Sequence, residues 1–212
     1  MSTQASNRVE TALDAAHIER FASQLRGQLI RPGDSAYEEA RQVWNAMIDK
    51  HPALIARCAD TQDVVASVQF AHAHDLLVAV RGGGHNVAGN ATCEGGMVID
   101  LSHMKRISID PERRIARAQP GLTWGEFDAA AQAQGLALTG GIQSTTGIAG
   151  FTLGGGYGYL ARKHGLTCDN LRLAEVVTAD GRVLTASKTE NADLFWGLRG
   201  GGGNFGIVTE FE

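Results

Sequence analysis

Cysteine is scarce in this 212-residue chain, with only Cys58, Cys93 and Cys168. Three widely spaced thiols match neither a metal pattern nor a disulfide framework, so reduced thiols and a cytoplasmic setting are expected. An excess of positive charge is also missing. The net charge of −4 exerts no long-range pull on nucleic acid or an anionic membrane, and neither is expected as a partner. No stretch approaches the roughly 18 continuous apolar residues of a membrane span. Residues 1–10 are polar and lack the apolar core of a signal peptide. Six histidines (17, 51, 72, 74, 103 and 164) are scattered, and no metal site follows from them. The G-x-x-x-x-G-K-[ST] loop of the common nucleoside-triphosphate sites is absent.

Glycine is what the chain has in excess: 27 residues, against roughly 15 at average usage for this length. They cluster at 82–84, 140–158 and 200–206. Clustered glycines let a backbone adopt positive φ or approach a ligand closely, so these are loops with a purpose.

The apolar pattern and its punctuation place elements around those loops. Helices are expected over 18–29, stopped at Arg31-Pro32-Gly33, and over 37–48, making residues 1–50 a helical preamble. A short buried strand is expected at 54–57. Asp60 or Thr61 can cap a helix carrying Val64, Val65, Val68 and Ala71. The continuous apolar run 76–80 reads as a strand covered on both faces. Strand, helix, strand makes a βαβ unit with parallel strands. Further strands are expected at 97–101, 107–109 and 114–118. A helix from Thr123 to Gln134 has Glu126 to complete a capping box and Gly135 to end it. Residues 175–178 and 182–186 form a hairpin across Ala179-Asp180-Gly181, residues 191–198 a helical turn or two, and 207–211 a last strand. The sequence stops in mid-strand, as expected of a piece of a longer protein.

Arg81-Gly82-Gly83-Gly84-His85-Asn86 follows the second strand of the βαβ unit. Three glycines at the carboxyl end of a parallel strand can aim several N–H groups at one point, an anion nest where α/β proteins bind ligands. Arg81 can add charge-assisted bonds to a phosphate. A flexible surface turn is the alternative. Gly201, Gly203 and Gly206 spell G-x-G-x-x-G, but a helix precedes them and a strand follows. A dinucleotide loop needs the reverse order, so the match does not indicate NAD. His85 taken alone reads as a structural histidine.

Five segments in order change that reading. They are Arg81-Gly82-Gly83-Gly84-His85-Asn86; Val98-Ile99-Asp100-Leu101-Ser102; Gly147-Ile148-Ala149-Gly150 leading into Gly154-Gly155-Gly156-Tyr157-Gly158; Gly165-Leu166-Thr167-Cys168-Asp169-Asn170; and Gly203-Asn204-Phe205-Gly206-Ile207-Val208-Thr209-Glu210. From about residue 50 to the end, the chain resembles the FAD-linked oxidases of the vanillyl-alcohol-oxidase superfamily, in the berberine-bridge-enzyme-like branch. The resemblance implies an α+β fold: a two-lobed PCMH-type FAD-binding domain over 51–212. Lobe one, about 51–110, contains the βαβ unit, and lobe two, about 111–212, is a larger mixed or antiparallel sheet with helices.

In such proteins the first glycine loop wraps the FAD pyrophosphate, and its histidine bonds to the flavin 8α-methyl carbon; His85 holds that position. A cysteine often supplies a second link. Here Gln143 stands at the matching place, so a single link is implied. By the same resemblance Thr145, Thr146, Gly147 and Gly150 line the flavin side of lobe two, with Gly154, Gly155, Gly156 and Gly158 close by, and Ile207 and Val208 meet the adenine end. Asp169 and Asn170 either lie near the site or sit in a solvated loop. Tyr157 and Tyr159 read as packing or hydrogen-bonding residues ahead of proton acceptors. The implied activity is an oxidoreductase: a hydride passes from an alcohol, sugar or amine to flavin N5, and dioxygen reoxidises the flavin. Family members continue into a substrate domain that is absent from these residues. Substrate and catalytic base are therefore unknown, and the piece alone is expected to be inactive. The alternatives are a non-catalytic flavin-binding module, a component of a larger electron-transfer assembly, or a binder of another nucleotide.

Overall fold

The structure is a computed structural model describing residues 14–212, and the polar stretch 1–10 lies outside the described residues. Asp14 caps the first helix, α1 (Ala15–Gln24), whose one buried side chain is Phe21. The chain then turns through Gly27 into β1 (Gln28–Ile30), which pairs antiparallel with β2 (Leu54–Arg57). The expected helix over 18–29 thus stops five residues short, and its end is a strand. The second expected helix shrinks to α2 (Tyr37–Arg41), because residues 42–48 leave the helix to pack on the glycine loop. In both places tertiary pairing overrides local helical pattern.

Asp60 caps α3 (Thr61–Ala73), accepting from the N–H groups of Gln62 and Asp63. β3 (Val78–Arg81) and β4 (Met97–Asp100) complete a sheet in the order β1-β2-β4-β3, with β2 and β3 each parallel to β4. The two strands of the βαβ unit are therefore parallel but not neighbours. β4 lies between them and is buried along its whole length. The expectation that 76–80 is covered on both faces is overturned: β3 is an edge strand, and Leu77 is 57% exposed. An apolar run does not distinguish a central strand from an edge.

The second sheet is antiparallel, in the order β5 (Ile107–Asp110), β6 (Ile115–Ala118), β9 (Ile207–Phe211), β7 (Leu173–Val177), β8 (Val183–Ser187). Residues 107–110 thus belong with the second sheet, and 28–30 belong with the first. The change of sheet falls within 101–106. Thr123 and Glu126 form the expected capping box on α4 (Trp124–Gln132), and Gly135 turns the chain at φ +68°. α5 (Ile148–Leu153), α6 (Ala161–His164), a 3₁₀ turn (Thr167–Asn170) and α7 (Ala192–Leu198) follow.

Successive side chains of a strand face opposite ways. Val176 and Val208 join a core with Trp124, Phe127, Phe195 and Leu198. Val177 and Ile207 join the other core, with Leu54, Val64, Met97 and Ile99. The second sheet is thereby covered on both faces, and residues of both lobes build the second of these two cores. Cys58, Cys93 and Cys168 are all buried and free. Among the described residues no helix is long and apolar enough to cross a membrane.

Candidate functional site

The site begins where β3 ends. Gly82 packs on Ala149, and a Cβ on Gly83 would lie 2.3 Å from the Gly147 nitrogen. A Cβ on Gly147 would in turn lie 2.4 Å from the Gly83 nitrogen. Here the first lobe's glycine loop and the start of α5 touch backbone to backbone, which only glycine permits. Gly84 adopts φ +70°. The N–H groups of Gly82, Gly83, Gly84 and His85 meet no acceptor among the described residues.

Arg81 is held from inside the fold. Its guanidinium donates to the Ala40 carbonyl, and its buried Nε lies 3.9 Å from Asp100 Oδ1 without a hydrogen-bond partner. Asp100 is fully buried and also accepts from Arg57 Nε at 3.2 Å and from the Ser102 N–H at 3.0 Å. Arg81 thus fixes the strand end from inside. Asn86 braces the following turn, its Oδ1 accepting from the Asn90 N–H at 3.1 Å.

His85 sits at the junction of the lobes. Its Nδ1 lies 3.5 Å from Thr146 Oγ1, with donor and acceptor set by the ring's tautomer. Partial burial pushes its pKa below the ordinary histidine value, so the imidazole is neutral at pH 7. The Trp44 ring stacks on it, with centroids 5.2 Å apart and planes 21° from parallel. Trp44 was not visible as a site residue, because the pattern put it inside a helix. Between Val43 and Asn45 it carries no sequence signal that sets it apart from a helical residue.

Thr146 and Gly147 run beside the start of α4, where Trp124 N–H donates to the Thr146 carbonyl at 2.9 Å. Gln143, Thr145 and Gly150 are exposed near this strip. The later glycines have reasons of their own. A Cβ on Gly158 would lie 2.1 Å from the Gly140 carbonyl oxygen, and one on Gly156 2.3 Å from Thr167 Oγ1. Gly155 needs φ +109°, while exposed Gly154 ends α5. Ile207 and Val208 commit their side chains to the two cores and pair with Val177 and Val176 of β7. Tyr157 and Tyr159 are 69% and 84% exposed, which overturns a packing role for both. Asp169 and Asn170 bond within their own turn, to Leu166 N–H and to the His164 and Leu166 carbonyls. A cavity of about 540 Å³ opens in the second lobe beside Trp124, Phe127 and Leu138, and none of the expected cofactor residues lines it.

A family model described as the FAD binding domain matches residues 52–187. The (R)-6-hydroxynicotine oxidase of Paenarthrobacter nicotinovorans is 42% identical over 188 residues, covering 89% of this chain and 41% of that protein. The solved 6-hydroxy-D-nicotine oxidase from Arthrobacter nicotinovorans superposes with a TM-score of 0.87 at 41% identity, over 88% of this chain and 41% of that one. BBE-like 1 of Physcomitrella patens gives 0.86 at 30% identity, over 92% and 43%. Glucooligosaccharide oxidase from Acremonium strictum, described with a 6-S-cysteinyl, 8α-N1-histidyl FAD, gives 0.85 at 34%, over 92% and 42%. The chain spans about two fifths of the length of each of these relatives. The chain therefore belongs to the FAD binding domain family, among the FAD-linked oxidases of the berberine-bridge-enzyme-like branch of the vanillyl-alcohol-oxidase superfamily.

Proposed function

We propose that this chain forms the cofactor site of an FAD-dependent oxidase, with the flavin bonded once, through His85. Gly82, Gly83 and Gly84 offer their N–H groups to the pyrophosphate. Thr145, Thr146, Gly147 and Gly150 present small groups to the ring system, with Gly154 to Gly158 supporting that strip. The backbone of Ile207 and Val208 meets the adenine end. Held there, FAD would supply hydride acceptance at N5 from a small alcohol, sugar or amine and delivery of two electrons to an acceptor, proposed to be dioxygen. The single observation that carries this reading is the place of His85, its Nδ1 3.5 Å from Thr146 Oγ1 where the glycine loop meets Gly147. Gln143 is exposed at the place where a second, cysteinyl link would arise, and all three thiols are buried.

The test is acid denaturation of the purified protein. Yellow chromophore should stay with the polypeptide, and His85→Ala should release it while non-covalent FAD still binds. Colour that washes out of the wild type would overturn the covalent link. A wild type that takes up no flavin from an excess of FAD would overturn the cofactor assignment.

A further inference from the structure

The Trp44–His85 stack is not explained by folding alone. Trp44 is 64% exposed, so no core holds it. It is held by the glycine loop: its N–H donates to the Gly84 carbonyl at 3.1 Å. Next to it, Asn45 Nδ2 donates to the Val87 carbonyl at 2.8 Å, and Lys50 Nζ reaches the Gly89 and Thr92 carbonyls at 3.1 and 3.3 Å. Ile48 closes the same contact, packing so tightly on Gly89 that a Cβ there would lie 2.7 Å from Ile48 Cγ1. Residues 44–50 thus strap the loop 84–92 from outside, and the strap delivers one aromatic face to one imidazole.

Two constraints then act on His85. Trp44 fixes the plane of the ring by stacking, and Thr146 fixes its in-plane direction through Nδ1. A nucleophile held in both respects spends little entropy in reaching the reactive geometry. Resting on the proposed single histidyl link, we propose that Trp44 is a positioning residue for covalent flavin attachment, holding the His85 imidazole in the plane from which it bonds.

Attachment replaces one C–H bond of the flavin 8α-methyl with a C–N bond to His85. Protons go to solvent, and the two electrons released pass to the flavin and from it to dioxygen. Trp44 takes no part in those transfers. Its removal should slow them without abolishing FAD binding.

The experiment adds FAD to flavin-free wild type, Trp44→Ala, Trp44→Leu and Trp44→Phe, and follows total and acid-stable flavin with time. Trp44→Ala and Trp44→Leu should bind comparable total FAD yet become acid-stable about tenfold more slowly, the cost of a misdirected reactive group. Trp44→Phe, which keeps a ring face, should recover most of the rate. Equal rates in all four proteins would overturn the role of Trp44 and leave the histidyl link standing. A wild type whose flavin is fully released by acid would overturn both. If Trp44→Ala takes up no FAD, Trp44→Leu, which retains apolar bulk, decides. NMR of labelled histidine in the flavin-free chain supplies a readout independent of flavin. The His85 ring C–H signal should be shifted upfield by the indole in wild type and return in Trp44→Leu; an unmoved signal would overturn the stack itself.

Discussion

Gly83 and Gly150 are both proposed to face FAD, but the fold asks different things of them. A methyl on Gly83 would strike the backbone of Gly147, which no side-chain rotation can relieve. Gly83→Ala should cost about 1–3 kcal/mol, as overpacked sites do. Gly150 has nothing within 4 Å of its Cβ position and sits in α5 at an ordinary φ. Gly150→Ala should therefore stabilise the flavin-free chain by about 1 kcal/mol through helix propensity. Thermal unfolding and flavin content, measured together, separate the two. A Gly150→Ala protein that melts higher yet loads less FAD identifies close approach of the ligand; unchanged loading removes Gly150 from the site. The sequence clusters made such glycines visible as a group. They did not say which serve the fold, because Gly158 against the Gly140 carbonyl and Gly156 against Thr167 are contacts between distant residues. The internal partners of Arg81 are hidden from the sequence for the same reason: Ala40 and Asp100 are brought to it by other elements.

At the level of elements, what a few neighbouring residues decide was legible. Asp60 before α3, the Thr123–Glu126 box before α4 and the turn between β7 and β8 all act within four residues or so, and all stand where the pattern put them. β1 was not legible, since a three-residue strand has no period of its own and exists through β2. What holds it in place is Asp63, buried on α3. Its carboxylate accepts from the N–H groups of Arg26 at 2.8 Å, Gly27 at 2.9 Å and Ala59 at 2.8 Å. Gly27 admits no side chain, because a Cβ there would lie 2.0 Å from the Arg57 carbonyl oxygen. Asp63→Ala strands three donors at once. At about 1–3 kcal/mol for each buried unsatisfied group, a loss of roughly 3 kcal/mol or more is expected. For a chain of this size that lowers Tm by roughly 6–12 °C, readable by calorimetry. A change of only a degree or two would mean that water replaces the carboxylate and that β1 is not anchored through Asp63.

The two lobes look separable in sequence and are joined in the molecule by its last strand. β9 lies between β6 and β7, so the second sheet cannot close until residues 207–211 arrive. Ile207 then faces the first lobe, packed with Val177 among residues of β2, β4 and α3, while Val208 faces the second. Thr61, opening α3, donates to Glu175 of β7 at 2.8 Å, and Thr209 donates to the same carboxylate oxygen at 2.6 Å. A shared core with a polar seam of this kind couples the unfolding of one lobe to that of the other. The prediction is that the slowest-exchanging amides of β4 and β7 report one common free energy of opening by hydrogen exchange. Ile207→Ala should lower both by the same amount, about 2–5 kcal/mol for a buried Ile-to-Ala change. Independent lobes would respond differently: protection of β4 would fall while that of β7 held. Because the proposed flavin site lies where Gly83 meets Gly147, at the contact of the two lobes, the outcome bears on function. A pair of lobes that opens as one presents the Gly83–Gly147 joint and His85 already assembled to FAD, so that binding spends nothing on bringing them together.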